Sequence, residues 1–117
     1  MKKNLFVILF GIVLVSSSLR LYNLQSVPPQ PTVDEVSIGY NAYSILRTGA
    51  DEYGSKFPIL LRAYDDFRPA IYTYLVIPFV AIIGLDVLAV RLPSVILGIL
   101  AIIATYFLVK ELIPNAK

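Results

Sequence analysis

The chain has 117 residues, is 57% hydrophobic and carries a formal net charge of +2, with no cysteine and no histidine. That charge is too small for an electrostatic footprint on nucleic acid, and no basic patch is interleaved with aromatics. The missing residue types exclude disulfides, Cys or His metal sites, thiol nucleophiles and imidazole bases, so any acid–base chemistry must run on Asp, Glu, Lys, Tyr or Arg.

The first apolar block is 4-NLFVILFGIVLVSSSLRLYNL-24, preceded by Lys2 and Lys3 and free of charge until Arg20. At about 1.5 Å per residue it is long enough to cross about 30 Å of hydrocarbon. A secretory signal peptide is the alternative, with Ser16, Ser17 and Ser18 as its small residues. The apolar blocks that follow favour an uncleaved anchor.

Residues 32-TVDEVSIGYNAYSILRTG-49 then read as a helix. Thr32 and Glu35 have the spacing of a capping box. Arg47 suits the last turn, and Gly49 suits the left-handed position after it. Val36, Tyr40, Tyr43 and Arg47 fall on one side, with Ile38, Ala42, Ile45 and Leu46 near another. Such a helix is suited to lie at a membrane surface or to pack on spans. Asp51 to Ser55 read as a turn. Residues 57-FPILLRAY-64 read as a short extended piece or a half-turn dipping into the interface. Asp65 and Asp66 are placed to cap the next span.

That span is 69-PAIYTYLVIPFVAIIGL-85, with Pro69 as a first helical residue and Pro78 as a kink. The third is 92-LPSVILGILAIIATYFLV-109, again opening on a proline, Pro93. Ser94 and Gly98 make a small-xxx-small pair, repeated at Ala101 and Thr105, which suits close helix packing or is simply ordinary composition. The connector 86-DVLAVR-91 suits a tight helical hairpin. The expected fold is therefore all-α and integral to the membrane. Three transmembrane helices lie at about 4–24, 69–85 and 92–109, and the 25–68 loop carries short amphipathic juxtamembrane helices. Residues 1–117 form one partial transmembrane domain. The Lys and Arg distribution leaves orientation open, because the acids of the 20–68 segment offset its bases.

Asp34 and Glu35 stand out in the polar segment. Acids in a first helical turn are stabilising without any function, and the capping box accounts for Glu35. The helix dipole also keeps Asp34 ionised, as a general base must be. The two side chains point in different directions from one helix, so no metal site is expected of them.

Five pieces occur in a fixed order: 34-DE-35, 40-YNAYSILRTG-49, 51-DEYG-54, 68-RPAIY-72 and 84-GLDVLAVRLPS-94. In order and spacing the chain resembles the N-terminal part of GT-C membrane glycosyltransferases, the class that includes protein O-mannosyltransferases and aminoarabinose transferases. The resemblance covers roughly residues 5 to 112. It implies transfer of a sugar from a polyprenyl-phosphate carrier to an extracytoplasmic acceptor, with the N-terminus cytoplasmic and the 25–68 loop outside. The lipid-linked sugar would be co-substrate, and no further cofactor is implied. Asp34 matches the acidic residue of the first extracytoplasmic loop, whose implied role is general base. Glu35 would orient Asp34 and contribute to substrate binding, or only cap the helix. Arg68 matches a basic position before proline. There it would hold the donor phosphate, or anchor the span as a charge at the membrane edge.

Members of the class are several times longer and have many more spans. The chain is therefore expected to be an N-terminal portion, inactive alone and partnered by membrane lipid and by the remaining helices of an enzyme or a second subunit. The alternative is a small non-enzymatic membrane protein that packs on another subunit through the Ser94–Gly98 stripe.

Overall fold

The computed structural model describes residues 2–64 and 66–113. In chain order they form α1 (Lys2–Leu21), α2 (Val33–Thr48), β1 (Leu60–Ala63), β2 (Asp66–Pro69), α3 (Ile71–Ile83) and α4 (Val87–Leu112). The all-α, three-span expectation is thereby corrected: there are four helices and a two-stranded antiparallel sheet. One helix, α4, is long and apolar enough to cross a membrane, with 26 residues and a mean hydropathy of 2.4. The apolar stretches Leu5–Leu21 and Ile71–Ile83 are shorter. The 13 residues of α3 rise about 20 Å, well short of a hydrocarbon core of about 30 Å.

Local chemistry explains each shortfall. After Leu21 the backbone enters a run of turns and bends ahead of Pro31, so the first block loses its last residues from the helix. Pro69 does not open α3 but ends β2, and the N-cap of α3 is Ala70, without a side-chain cap. Asp66 likewise caps no helix; it lies in β2, and its Oδ1 accepts the Phe67 N–H at 2.7 Å. Asp65 lies outside the described residues. The helix α3 stops at Gly84, whose φ of 94° takes it out of helical conformation. The connector 86–91 is mostly not a loop. Asp86 Oδ1 accepts the Leu88 N–H at 2.8 Å, so α4 starts at Val87 and Pro93 falls inside it.

The described residues group into two compact units, Asn23–Pro93 and the described parts of Met1–Tyr22 with Ser94–Lys117. In the first unit α2 packs on α3. Ala42, Val76, Val80, Ala89 and Val90 form one buried cluster, and Ile45, Leu61 and Ala70 form another. The capping box of α2 is complete: Thr32 Oγ1 accepts the Glu35 N–H at 3.2 Å and Glu35 Oε2 accepts the Thr32 N–H at 2.8 Å. At the other end Gly49 adopts φ 73° and donates its N–H to Ile45 O. Gly39 lets the α2 backbone come close to the start of α4. A Cβ there would stand 2.9 Å from Val90 Cγ2 and 3.3 Å from Leu85 Cδ1.

Beyond α2 the chain turns on Asp51, whose Oδ1 accepts the N–H groups of Tyr53 at 3.0 Å and Ser55 at 2.8 Å. Strands β1 and β2 then pair Leu60 with Pro69, Leu61 with Arg68, Arg62 with Phe67 and Ala63 with Asp66. Leu61 and Ala63 are buried while Leu60 and Arg62 are exposed, the alternation of a strand with one covered face.

In the second unit the Arg20 side chain lies over Gly98. A Cβ at Gly98 would be 2.9 Å from Arg20 Cζ. A partner helix seated on the Ser94–Gly98 stripe would have to displace that guanidinium.

Candidate functional site

The first turn of α2 presents Asp34 and Glu35 in different directions, because a helix turns about 100° per residue. Each meets a different arginine. Glu35 reaches Arg91, near the start of α4. Arg91 Nε donates to Glu35 Oε1 at 2.7 Å and Nη2 donates to Oε2 at 3.2 Å, a two-pronged ion pair. The same guanidinium donates through Nη1 to Leu24 O at 2.8 Å and to Pro28 O at 3.1 Å. Arg91 is 6% exposed and Glu35 23%. Arg91 thus ties the entry of α2, the segment before it and the first turns of α4 into one knot. The Arg91 guanidinium holds the Glu35 carboxyl below its ordinary value of 4.5. Burial opposes this, and the Thr32 backbone N–H adds to it. Both carboxylate oxygens of Glu35 are engaged by Arg91 and Thr32.

Asp34 meets Arg68 from β2, with Nη2 to Oδ1 at 3.0 Å. This pair is open: the Asp34 side chain is 70% exposed and that of Arg68 24%. Arg68 reaches Asp34 because it shares the covered face of the hairpin with its cross-strand partner Leu61. One contact leaves further guanidinium N–H groups that a phosphate oxygen could accept.

Further along α2 lies a cavity of about 160 Å³ lined by Val36, Ser37, Tyr40, Glu52, Tyr53 and Tyr64. Ser37 is one helical turn on from Asp34, so the cavity continues along the same side of α2. Its far wall is fixed by Asn41, which is 1% exposed. The Asn41 Nδ2 donates to Glu52 Oε1 at 2.9 Å and to Ser37 O at 2.9 Å, while Asn41 Oδ1 accepts the Glu52 N–H at 3.1 Å. Elsewhere in the same unit the Tyr72 hydroxyl donates to Val90 O at 2.8 Å, beside the cluster that contains Ala42.

Of the three residues singled out by sequence, Asp34 and Arg68 are brought into contact and Glu35 is joined to Arg91 instead. Arg91 and Asn41 went unrecognised. The Glu35–Arg91 link spans 56 residues, and no local spacing reports a contact of that range. Asn41 is a polar residue in the middle of an apolar helical pattern, and that was the one available signal for it. Comparison with known proteins finds no matching family model, no matching characterised protein and no matching solved structure.

Proposed function

We propose that this chain contributes the catalytic acidic helix of a membrane glycosyltransferase that uses a polyprenyl-phosphate sugar. The observation that supports this reading is convergence. Pieces far apart in the chain, 34-DE-35, 68-RPAIY-72 and 84-GLDVLAVRLPS-94, meet through Asp34–Arg68, Glu35–Arg91 and Tyr72–Val90. These are the pieces on which the GT-C resemblance rests, and a chance string of weak motifs has no reason to assemble around one acidic pair.

In this reading the acceptor hydroxyl gives its proton to the Asp34 carboxylate. Its oxygen forms a bond to the anomeric carbon. The bond from that carbon to the phosphate oxygen breaks, and the electron pair leaves on the polyprenyl phosphate, which needs no strong acid to depart. Arg68 holds Asp34 through one contact and offers its remaining N–H groups to the donor phosphate. Glu35, locked to Arg91, sets the direction in which Asp34 points. The aromatic cavity next to Ser37 would receive the acceptor. Residues 25–68 would face the extracytoplasmic side with the N-terminus cytoplasmic, and α4 would supply membrane attachment.

The test is transfer from a panel of radiolabelled polyprenyl-phosphate sugars by membranes that contain the protein in its native gene context. Asp34→Asn is expected to lower transfer by about 100-fold or more, within the range for loss of a general base, with expression and insertion unchanged. Transfer at the wild-type rate by that variant would remove Asp34 from the mechanism.

A further inference from the structure

We infer that the outward face of the β1–β2 hairpin docks on a bilayer, at the boundary between headgroups and acyl chains. Strand alternation sorts the hairpin into two faces. Leu61 and Ala63 are buried against the unit, and their cross-strand partners Arg68 and Asp66 share that side. The other side carries Leu60, Arg62, Phe67 and Pro69. Among the described residues none covers it: Leu60 is 56% exposed, Phe67 63% and the neighbouring Ile59 86%.

The ends of the hairpin reinforce the pattern. Phe57 and Tyr64 both hold left-handed backbone conformations, with φ of 43° and 56°. Bulky aromatic residues are disfavoured there, where Gly or Asn would be at ease. Each nonetheless presents an exposed ring, 68% for Phe57 and 62% for Tyr64. The chain thus accepts two unfavourable backbone positions at exposed aromatic residues that flank β1 in sequence. A ring with one polar end, as Tyr64 has, is characteristic of the headgroup level of a membrane, and Phe57 adds an exposed apolar ring.

The charges fit the same occupant. Arg62 stands on the outward face opposite Phe67. Its guanidinium lies 5.0 Å from the centre of the Tyr53 ring and its Nε donates to the Tyr64 backbone O at 3.2 Å, so its charge sits above an apolar stem and beside one aromatic ring. Lys56 adds a second exposed cation at the entrance to the hairpin. Of the nearby acids, Asp66 belongs to the opposite face, and Glu52 is held by Asn41. Among the described residues this face carries apolar and aromatic groups with cations and no acid, which is complementary to lipid phosphates above acyl chains. The chain also carries α4, long and apolar enough to cross a membrane, which favours a bilayer over a protein partner as the occupant of this face. Facing water, the same hairpin would be a site of aggregation.

The inference does not depend on the glycosyl-transfer reading and can fail separately from it. The chain contains no cysteine, so single labels are unambiguous. Leu60→Cys and Phe67→Cys, each carrying a nitroxide, would be placed in the full chain in vesicles of phosphatidylcholine and phosphatidylglycerol in equal parts. Collisions with oxygen and with a water-soluble nickel chelate would then be measured. The expected result is an oxygen-to-nickel ratio several-fold above that of the free label in water at both positions. In the same vesicles Arg62→Glu should lower the ratio of the Leu60 label. Labels that collide with nickel as freely as the free label would overturn the inference. So would labels shielded from both reagents, since protein rather than lipid would then cover the face.

Discussion

Asp34 and Glu35 are adjacent in the chain, both acidic and both paired with an arginine, yet they occupy opposite regimes. Glu35 and Arg91 form a two-pronged pair with side chains 23% and 6% exposed, and Arg91 also holds two backbone carbonyls. Asp34 and Arg68 make one contact at 3.0 Å, with Asp34 70% exposed. The difference follows from helix geometry. One residue of rotation turns Glu35 toward the start of α4 and Asp34 toward solvent and the hairpin. Burial decides what each pair can do. A buried, fully bonded pair fixes the arrangement of segments, whereas an open pair can exchange its partner for a substrate.

The sharpest way to break that contrast is Glu35→Ala. It leaves the Arg91 guanidinium buried without its counter-charge, and removing one partner of such a pair costs about 3–5 kcal/mol. Thermal unfolding of the detergent-solubilised chain, followed by circular dichroism, should show the loss. A cost below about 1 kcal/mol, the range of surface pairs, would mean that Glu35 and Arg91 are no anchor.

Acid should weaken the same pair. The folded-state pKa of Glu35 is held below its ordinary value of 4.5, so the ionised form is favoured by folding. Its contribution is complete above that ordinary value and is lost as pH falls through the lower folded value. Glu35→Gln has no proton to take up at that site. The stability gap between wild type and Glu35→Gln should be widest at neutral pH and narrow steadily as the pH drops below about 4.5. A gap that stays constant on acidification would show that the Glu35 charge does not carry the interaction.

How much of this was legible in the sequence depends on range. The α2 helix was readable at both ends, because the Thr32–Glu35 box and Gly49 are signals contained within a few residues. The turn on Asp51 was readable for the same reason. The spans were misjudged because apolar composition reports that a segment is buried or greasy, not where its backbone stops being helical. Pro69 suits both a helix start and an edge strand, and the choice was made by the pairing of β2 with β1. Asp86 falls in the stretch that suits a hairpin connector, whereas it opens α4 as a cap. At the site, Asp34 and Arg68 could be named one by one, but nothing local tells that a strand register would bring them together. Arg91 carries no local signal of its role, because its partner Glu35 lies 56 residues away in the chain.

The smallest expected effect is the most informative. Asp34→Asn keeps the shape of the side chain and removes its charge. The exposed pair with Arg68 contributes at most about 1 kcal/mol, and an acid in the first turn of α2 adds a few tenths to about 1 kcal/mol through the dipole. Unfolding of this variant should therefore move little beside the loss in Glu35→Ala. Arg68, 24% exposed, retains contact with water when its partner is gone, unlike Arg91. If Asp34→Asn destabilises as much as Glu35→Ala, the two acids are equivalent struts and the open pair has no special standing. If stability holds while transfer collapses, the charge of Asp34 is there for chemistry, because folding would not miss it.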